Sequence, residues 1–255
     1  MKVELENAYV LHSRPFKDTS LLVDFLTENF GRITLVAKGA RQQKKKGNFL
    51  LQPFVSLRIS WQGKSQLKTL ILTEITSHIA NINIEVEKTL ESQISKNLEG
   101  NYLYSGFYAN ELLTYLLPFD ESNSNIFYIY VNLLTSLKSK FDLEKTLRLF
   151  EFSFLAELGY GIDFISAAAT SDFIELNKQY YYEPSEGFFC IDSLDENKKN
   201  SLLVSCNIFD GSIILAIKNQ EYTNQCVRQS AKYISRMSLN HILMGKKIKS
   251  REFFR

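Results

Sequence analysis

Near Ile75 the hydrophobic period of this chain changes from two residues to about 3.6, and that change limits what the sequence can fold into. Before it lie short alternating runs separated by turn residues; after it lie helical stripes. Asn7 to His12 is the first run, broken by Arg14-Pro15, because proline restricts itself and the residue before it. Ser20 to Thr27 is the second, with Asn29-Phe-Gly31 as the turn into a third, Arg32 to Lys38, where Ile33, Leu35 and Ala37 share one face. Leu51 to Trp61 reads as a long half-wet strand whose Pro53 marks an edge or bulge. Gln62-Gly-Lys-Ser65 turns it into a fifth strand, Gln66 to Ile75. Five strands in roughly 75 residues, with no helix long enough to cover a flat sheet, predict closure into a small barrel of OB type.

Beyond Ile75 the pattern predicts helices over Ile84 to Leu98, Asn101 to Leu117 (closed by Pro118), Ile126 to Lys140, and Leu143 to Leu158, the last capped by Asp142 and ended by Gly159. Tyr180-Tyr-Tyr182, Pro184 to Gly187 and Phe188 to Ile191 read as a hairpin, with a polar loop over Asp192 to Asn200. Ile213 to Asn219 and Thr223 to Met244 are two further helices. The expected class is therefore α+β and multidomain: an OB barrel over 1–79, a helical domain over 80–161, and a small region over 162–255 that ends in helices.

Charge points to what such a barrel would hold. Asn29 to Thr73 contains no Asp or Glu, yet carries Arg32, Lys38, Arg41, Lys44, Lys45, Lys46, Arg58, Lys64 and Lys68. A net charge of only +2 hides a basic head, an acidic middle and a basic tail: 12 basic against 6 acidic residues over 1–80, 13 against 21 over 81–240, and 5 against 1 over the last fifteen. Segregated cations favour a polyanion, so these nine and Arg14 are the candidate nucleic-acid contacts. Phe16, Phe49 and Phe54 could add stacking surfaces, each stacked base being worth roughly 1–3 kcal/mol. A solvated, flexible tip is the competing account of the lysine run.

Catalysis finds little support. His12, His78 and His241 stand apart from one another and from any nucleophile motif. Gly63-Lys-Ser65 ends like a phosphate-binding loop, but Arg58 stands where the first glycine belongs. No CxxC or HxxxH pair offers a zinc site, so neither metal nor cofactor is expected. Cys190, Cys206 and Cys226 are odd in number and widely spaced, as in buried thiols of a reducing compartment. With no signal-peptide pattern at the first residues and no run of about 18 apolar residues, the expectation is a soluble, cytoplasmic protein with no membrane partner. Arg148 lies on a strongly apolar helix, where it either pairs with Glu151 one turn on or meets an acidic partner in a groove.

Tyr9-Val-Leu-His-Ser-Arg-Pro15, Asp18-Thr-Ser-Leu21, Leu35-Val-Ala-Lys-Gly-Ala-Arg41, Leu51-Gln-Pro-Phe54, Leu103 to Leu112, Leu158-Gly-Tyr-Gly161 and Lys249-Ser-Arg-Glu-Phe-Phe254, in that order, resemble the bacterial recombination mediator family RecO. The resemblance implies an OB domain, a helical middle and a third region that in many members is a four-cysteine zinc ribbon. Here Ile162-Asp-Phe-Ile-Ser-Ala-Ala-Ala-Thr170 follows Gly161 without a CxxC, so the third region is expected to be metal-free and held by packing of Tyr180 to Tyr182, Phe188 and Phe189. It further implies binding of single- and double-stranded DNA and ATP-independent annealing of strands coated by single-strand-binding protein. Action with RecR to load RecA, and docking of the acidic, apolar-ended tail of single-strand-binding protein on the helical region, are implied as well. By that analogy Arg148 becomes a candidate for the tail carboxylate. The competing functional reading is an OB-fold RNA-binding or translation-associated protein.

Overall fold

The computed structural model describes residues 2–42, 50–63, 67–76, 98–194 and 207–254. Lys44, Lys45, Lys46, Phe49, Lys64, His78, Cys206, Arg255 and nearly all of the helix expected over Ile84 to Leu98 lie outside them.

Five strands close a barrel: β1 (Lys2–Phe16), β2 (Ser20–Thr27), β3 (Gly31–Ala37), β4 (Leu57–Gln62) and β5 (Lys68–Ile75). Their order round the barrel is β1-β2-β3-β5-β4, with β1 pairing again to β4 and only β3 and β5 parallel. That is the OB arrangement. Ala8, Val10, Val23, Phe25, Ile33, Leu35, Leu57, Ile59 and Trp61 point inward and fill it. β1 is much longer than Asn7 to His12, because it serves both β2 and β4 and bends twice to do so. The register with β2 slips between Val10 and His12, and the register with β4 slips between Val3 and Glu6, where Leu5 takes a positive φ. The expected strand from Leu51 shortens to Leu57–Gln62, because Phe54 takes a positive φ and breaks the extended run after Pro53, which makes only an isolated bridge to Val10.

Helix α1 (Gly100–Leu116) and helix α2 (Ser124–Lys138) pack on the outside of this barrel. Tyr9 and Leu11 face outward from β1 yet are buried, Tyr9 lying against Phe127 and Tyr130 of α2. At the bulge on β1, which leaves Leu11 without a partner in the register with β2, the Asn110 amide of α1 donates to the carbonyls of Val10 and Leu11, at 3.4 and 3.0 Å. The Tyr130 hydroxyl donates to Asn110 Oδ1 at 2.6 Å and fixes that amide. Gly31 needs to be glycine twice over: its φ is +64°, and a Cβ there would sit 1.8 Å from the Glu121 carbonyl oxygen.

A second close approach lies at Gly106 of α1, where a Cβ would meet the Phe54 ring at 2.7 Å. Phe54 holds a positive φ of 70°, and the Lys138 ammonium donates to its carbonyl at 2.9 Å. Gly106→Ala is expected to destabilise the chain by about 1–3 kcal/mol, as overpacking does in a filled site. Denaturant unfolding followed by the fluorescence of Trp61, the chain's single tryptophan, measures this directly.

The remaining elements are α3 (Leu143–Glu157), a three-stranded sheet ordered β7-β6-β8 from β6 (Gln179–Glu183), β7 (Gly187–Cys190) and β8 (Ile208–Asp210), α4 (Gly211–Lys218) and α5 (Gln225–Leu243). Tyr180, Tyr182, Phe188 and Phe209 join Ile214 and Ile234 in one core, with Tyr182 and Phe188 ring centroids 4.7 Å apart, whereas Tyr181 and Phe189 are only partly buried. Among the described residues no cluster of three or more His, Cys, Asp or Glu is placed to hold a metal, and no helix is long and apolar enough to cross a membrane.

Packing divides the chain into two compact units, Met1–Phe141 with Ile248–Arg255, and Asp142–Lys247. This grouping differs from the three segments expected from sequence: the barrel shares a unit with α1 and α2, and α3 goes with the sheet and α5. The reason is visible at Asp142, which caps α3 by accepting from Lys145 N–H and also receives both Arg228 amines from α5, at 2.9 and 2.6 Å. That charged partner holds the Asp142 carboxyl below the usual carboxylate range.

Candidate nucleic-acid interface

One rim of the barrel gathers exposed cations. The register of β2 on β3 sets Leu21 opposite Ala37, so the chain leaving β3 emerges beside the β1–β2 turn, Lys17 to Thr19. Arg41 is laced to that turn: its backbone N–H donates to the Thr19 carbonyl at 2.9 Å and its guanidinium to the Lys17 carbonyl at 3.2 Å. Lys38 and Arg41 are exposed there, and Arg14, opposite Leu22 near the end of β1, is exposed beside them. Lys17 completes the group, its ammonium 5.5 Å from the centre of the half-buried Phe16 ring. None of the four forms an ion pair among the described residues, although Asp18 shares the turn. From this rim the chain runs into residues 43–49, which carry Lys44, Lys45 and Lys46.

Three other candidates are placed differently. Arg32 is a correction: it is buried, with 8% of its surface exposed, because α1 ends over it. Its guanidinium donates to the carbonyls of Thr114 and Leu117, pairs with the buried Asp24 at 3.2 Å, and lies 3.9 Å from the Phe119 ring centre. Lys68 is paired with Asp120, from the segment between α1 and α2. Arg58 is paired with Glu74 at 3.5 Å, both half exposed, and sits opposite Asn7, roughly 20 Å of strand away from Arg14. An exposed pair such as Arg58 with Glu74 is worth about 0–1 kcal/mol, but both pairs cancel the local field. The cations of the carboxylate-free stretch are thus not all on a common side; Lys38 and Arg41 share one, with Arg14 from β1. Phe54 is a second correction, since its ring is buried against Gly106 and Phe107 and offers no face to a base.

Lys17 was missed because it precedes the carboxylate-free stretch and stands next to Asp18, so a count of charge along the sequence hides it. Only the turn that bends β1 into β2 brings it to Arg41.

Arg148 lies in the second unit and is buried. Its guanidinium donates to Glu151 Oε1 at 2.9 Å and to Ser235 Oγ of α5 at 3.0 Å, with the side chains of Arg148 and Glu151 only 6% and 1% exposed. The pairing with Glu151 weighed from sequence is formed. Burial pushes the neighbouring Tyr222 hydroxyl up to about 12, and burial with the nearby Arg236 and Arg148 lowers the Lys232 ammonium from its usual range.

A five-stranded barrel of OB order with exposed cations at one rim that form no ion pair among the described residues, and with helices on its outer face, defines a class, the OB-barrel proteins with an electropositive mouth. Comparison with known families narrows it. Residues 1–78 match the family described as recombination protein O N terminal, and residues 98–208 match recombination protein O C terminal. The chain is 38% identical over 254 residues to the DNA repair protein RecO of Haemophilus influenzae, covering 100% of this chain and 97% of that one. Against the DNA repair protein RecO of Cellvibrio japonicus it is 37% identical over 100% of this chain and 98% of the relative, and against that of Actinobacillus succinogenes 36% identical over 98% and 94%. The chain belongs to the recombination protein O family.

Proposed function

We propose that this chain is a non-catalytic recombination mediator that binds single- and double-stranded DNA at the Arg14, Lys17, Lys38 and Arg41 rim and pairs complementary strands. The observation that carries the reading is that these four cations sit together, exposed and without carboxylate partners among the described residues, where the chain enters the Lys44-Lys-Lys46 segment. Cations that meet phosphates hold a strand by its backbone and leave its base edges free, so a second strand can pair with the first. Neutralising both backbones also lowers the repulsion between them. No step of this needs ATP, a metal or a covalent intermediate. Membership of the family and the resemblance of its motifs support annealing on DNA coated by single-strand-binding protein, docking of that protein's tail, and loading of RecA with RecR, at the nucleoid in the cytoplasm.

Arg148 serves the tail-docking part of this reading by fixing α3 against α5. Arg58, Lys64 and Lys68 are secondary contacts, reached by a strand that extends beyond the rim.

Replacing Arg14, Lys38 and Arg41 together by Ala is expected to flatten the dependence of DNA affinity on salt. Each lost phosphate contact on a single strand takes about 0.7 from the slope of log affinity against log salt, so the triple variant falls by about 2. Annealing of strands coated by single-strand-binding protein slows with it. An unchanged slope, with Trp61 fluorescence reporting an intact barrel, removes the rim from the proposal.

A further inference from the structure

The final residues of the chain belong to its first unit. Covalently they follow α5, yet Ile248–Phe254 lies along α1. Tyr104, Tyr108 and Glu111 stand at positions i, i+4 and i+7 of that helix and therefore share a face. The Glu111 carboxylate accepts from the backbone N–H of Lys249 at 2.9 Å and of Ser250 at 2.8 Å, and from the Ser250 hydroxyl at 2.7 Å. The Arg251 guanidinium lies 5.6 Å from the Tyr108 ring centre. Phe253 stacks on Tyr104 with centroids 5.3 Å apart, and Phe254 meets the same ring edge-on. Ile248 and Ser250 are buried while Phe253 is 54% exposed, so the segment is gripped at its start and open at its end.

This face has the makings of a peptide-recognition surface. A carboxylate reads two successive backbone N–H groups and a hydroxyl, and two tyrosines read a guanidinium and a phenyl ring, which together select Ser-Arg-x-Phe. We infer that the Tyr104–Tyr108–Glu111 face of α1 is a peptide-docking surface whose occupant is this chain's own C-terminal segment, held in cis as a releasable strap that steadies α1 against the β1 bulge.

The coupling follows from neighbouring residues. Glu111 holds the strap, while Asn110, one residue before it, holds the Val10 and Leu11 carbonyls of the bulge. Losing the strap frees one side of α1 and leaves the bulge depending on a helix less firmly placed. Local opening of this kind appears in amide exchange before global unfolding does.

The experiment is hydrogen exchange by mass spectrometry on the full chain and on its Glu111→Ala and Phe253→Ala variants. Both variants are expected to speed exchange of residues 249–254 roughly tenfold or more, as loss of such hydrogen bonds and packing implies. A smaller acceleration is expected over 102–116 and 8–14, with no change over 226–240. A third variant lacking Ile248 to Arg255 should exchange fastest over 102–116, and a synthetic peptide of residues 246–255 should slow it again. Unchanged exchange over 102–116 and 8–14 in both point variants overturns the coupling. Failure of the peptide to protect the shortened chain overturns the docking surface, and protection in the full chain that depends on its concentration, with a dimer on gel filtration, overturns the cis assignment. None of these readouts involves DNA, so their failure is separate from failure of the rim.

Discussion

Arg148→Ala is expected to lower the stability of the second unit by about 3–5 kcal/mol, because it leaves Glu151, whose side chain is 1% exposed, without its cation. The Ser235 hydroxyl loses a donor at the same time, although it still donates to the Lys232 carbonyl. The cost belongs to the loss of a close cation beside a buried carboxylate rather than to the pair, so removing both charges should restore most of the loss. The double variant Arg148→Met with Glu151→Leu is expected to unfold within about 1 kcal/mol of the wild type, or above it. Thermal unfolding of the two variants measures this, and the double variant then separates the roles considered for Arg148. If it is as stable as the wild type and binds a peptide of the single-strand-binding protein tail equally well, Arg148 acts by holding α3 to α5. If it is as stable and no longer binds the tail, the guanidinium meets the tail's carboxylate itself, and the structural role proposed above is wrong.

The same residue shows what sequence could and could not reveal. A cation on an apolar helix with an acid three residues on is readable as an intrahelical pair, and the pair is there. What the spacing cannot reveal is Ser235, from α5, which closes over it. The barrel was legible for a related reason: alternation states which side chains face a core, and Ser20–Thr27 is a strand with the bounds its pattern predicts. Alternation does not state what lies on the other face. Tyr9, Leu11 and Arg32 point away from the barrel interior, yet α1 and α2 cover them. The unit boundary was hidden because a helical period looks the same on both sides of Phe141; the division rests on Arg228 reaching Asp142. Arg58 reads as a free cation because its partner Glu74 stands just past the window that lacks acids, and Lys68 because its partner Asp120 comes from the distant segment between α1 and α2.

Arg32→Ala is the second large expected effect, and it tests the border between holding DNA and holding the fold. Arg32 entered as a candidate phosphate contact; in the structure it is the joint between β3 and the end of α1. Its removal leaves the buried Asp24 carboxylate with only Thr34 donating to it among the described residues, takes the donor from the carbonyls of Thr114 and Leu117, and removes the cation beside Phe119. A loss of about 3–5 kcal/mol is expected for the broken buried pair, and the orphaned carbonyls keep it at the upper end. Arg32→Lys should recover little of it, since one ammonium cannot reproduce a planar fork that meets two carbonyls and a carboxylate together. Urea unfolding followed by Trp61, buried in the same barrel, gives the number. Under conditions where the variant is folded, its DNA affinity should depend on salt as the wild type's does, whereas Arg41→Ala should flatten that dependence by about 0.7. A variant as stable as the wild type but with a flattened slope would return Arg32 to the DNA surface and require α1 to lift from it. With the opposite result, the rim of Arg14, Lys17, Lys38 and Arg41 is what faces a strand, and Arg32 helps the barrel to present it in a fixed place.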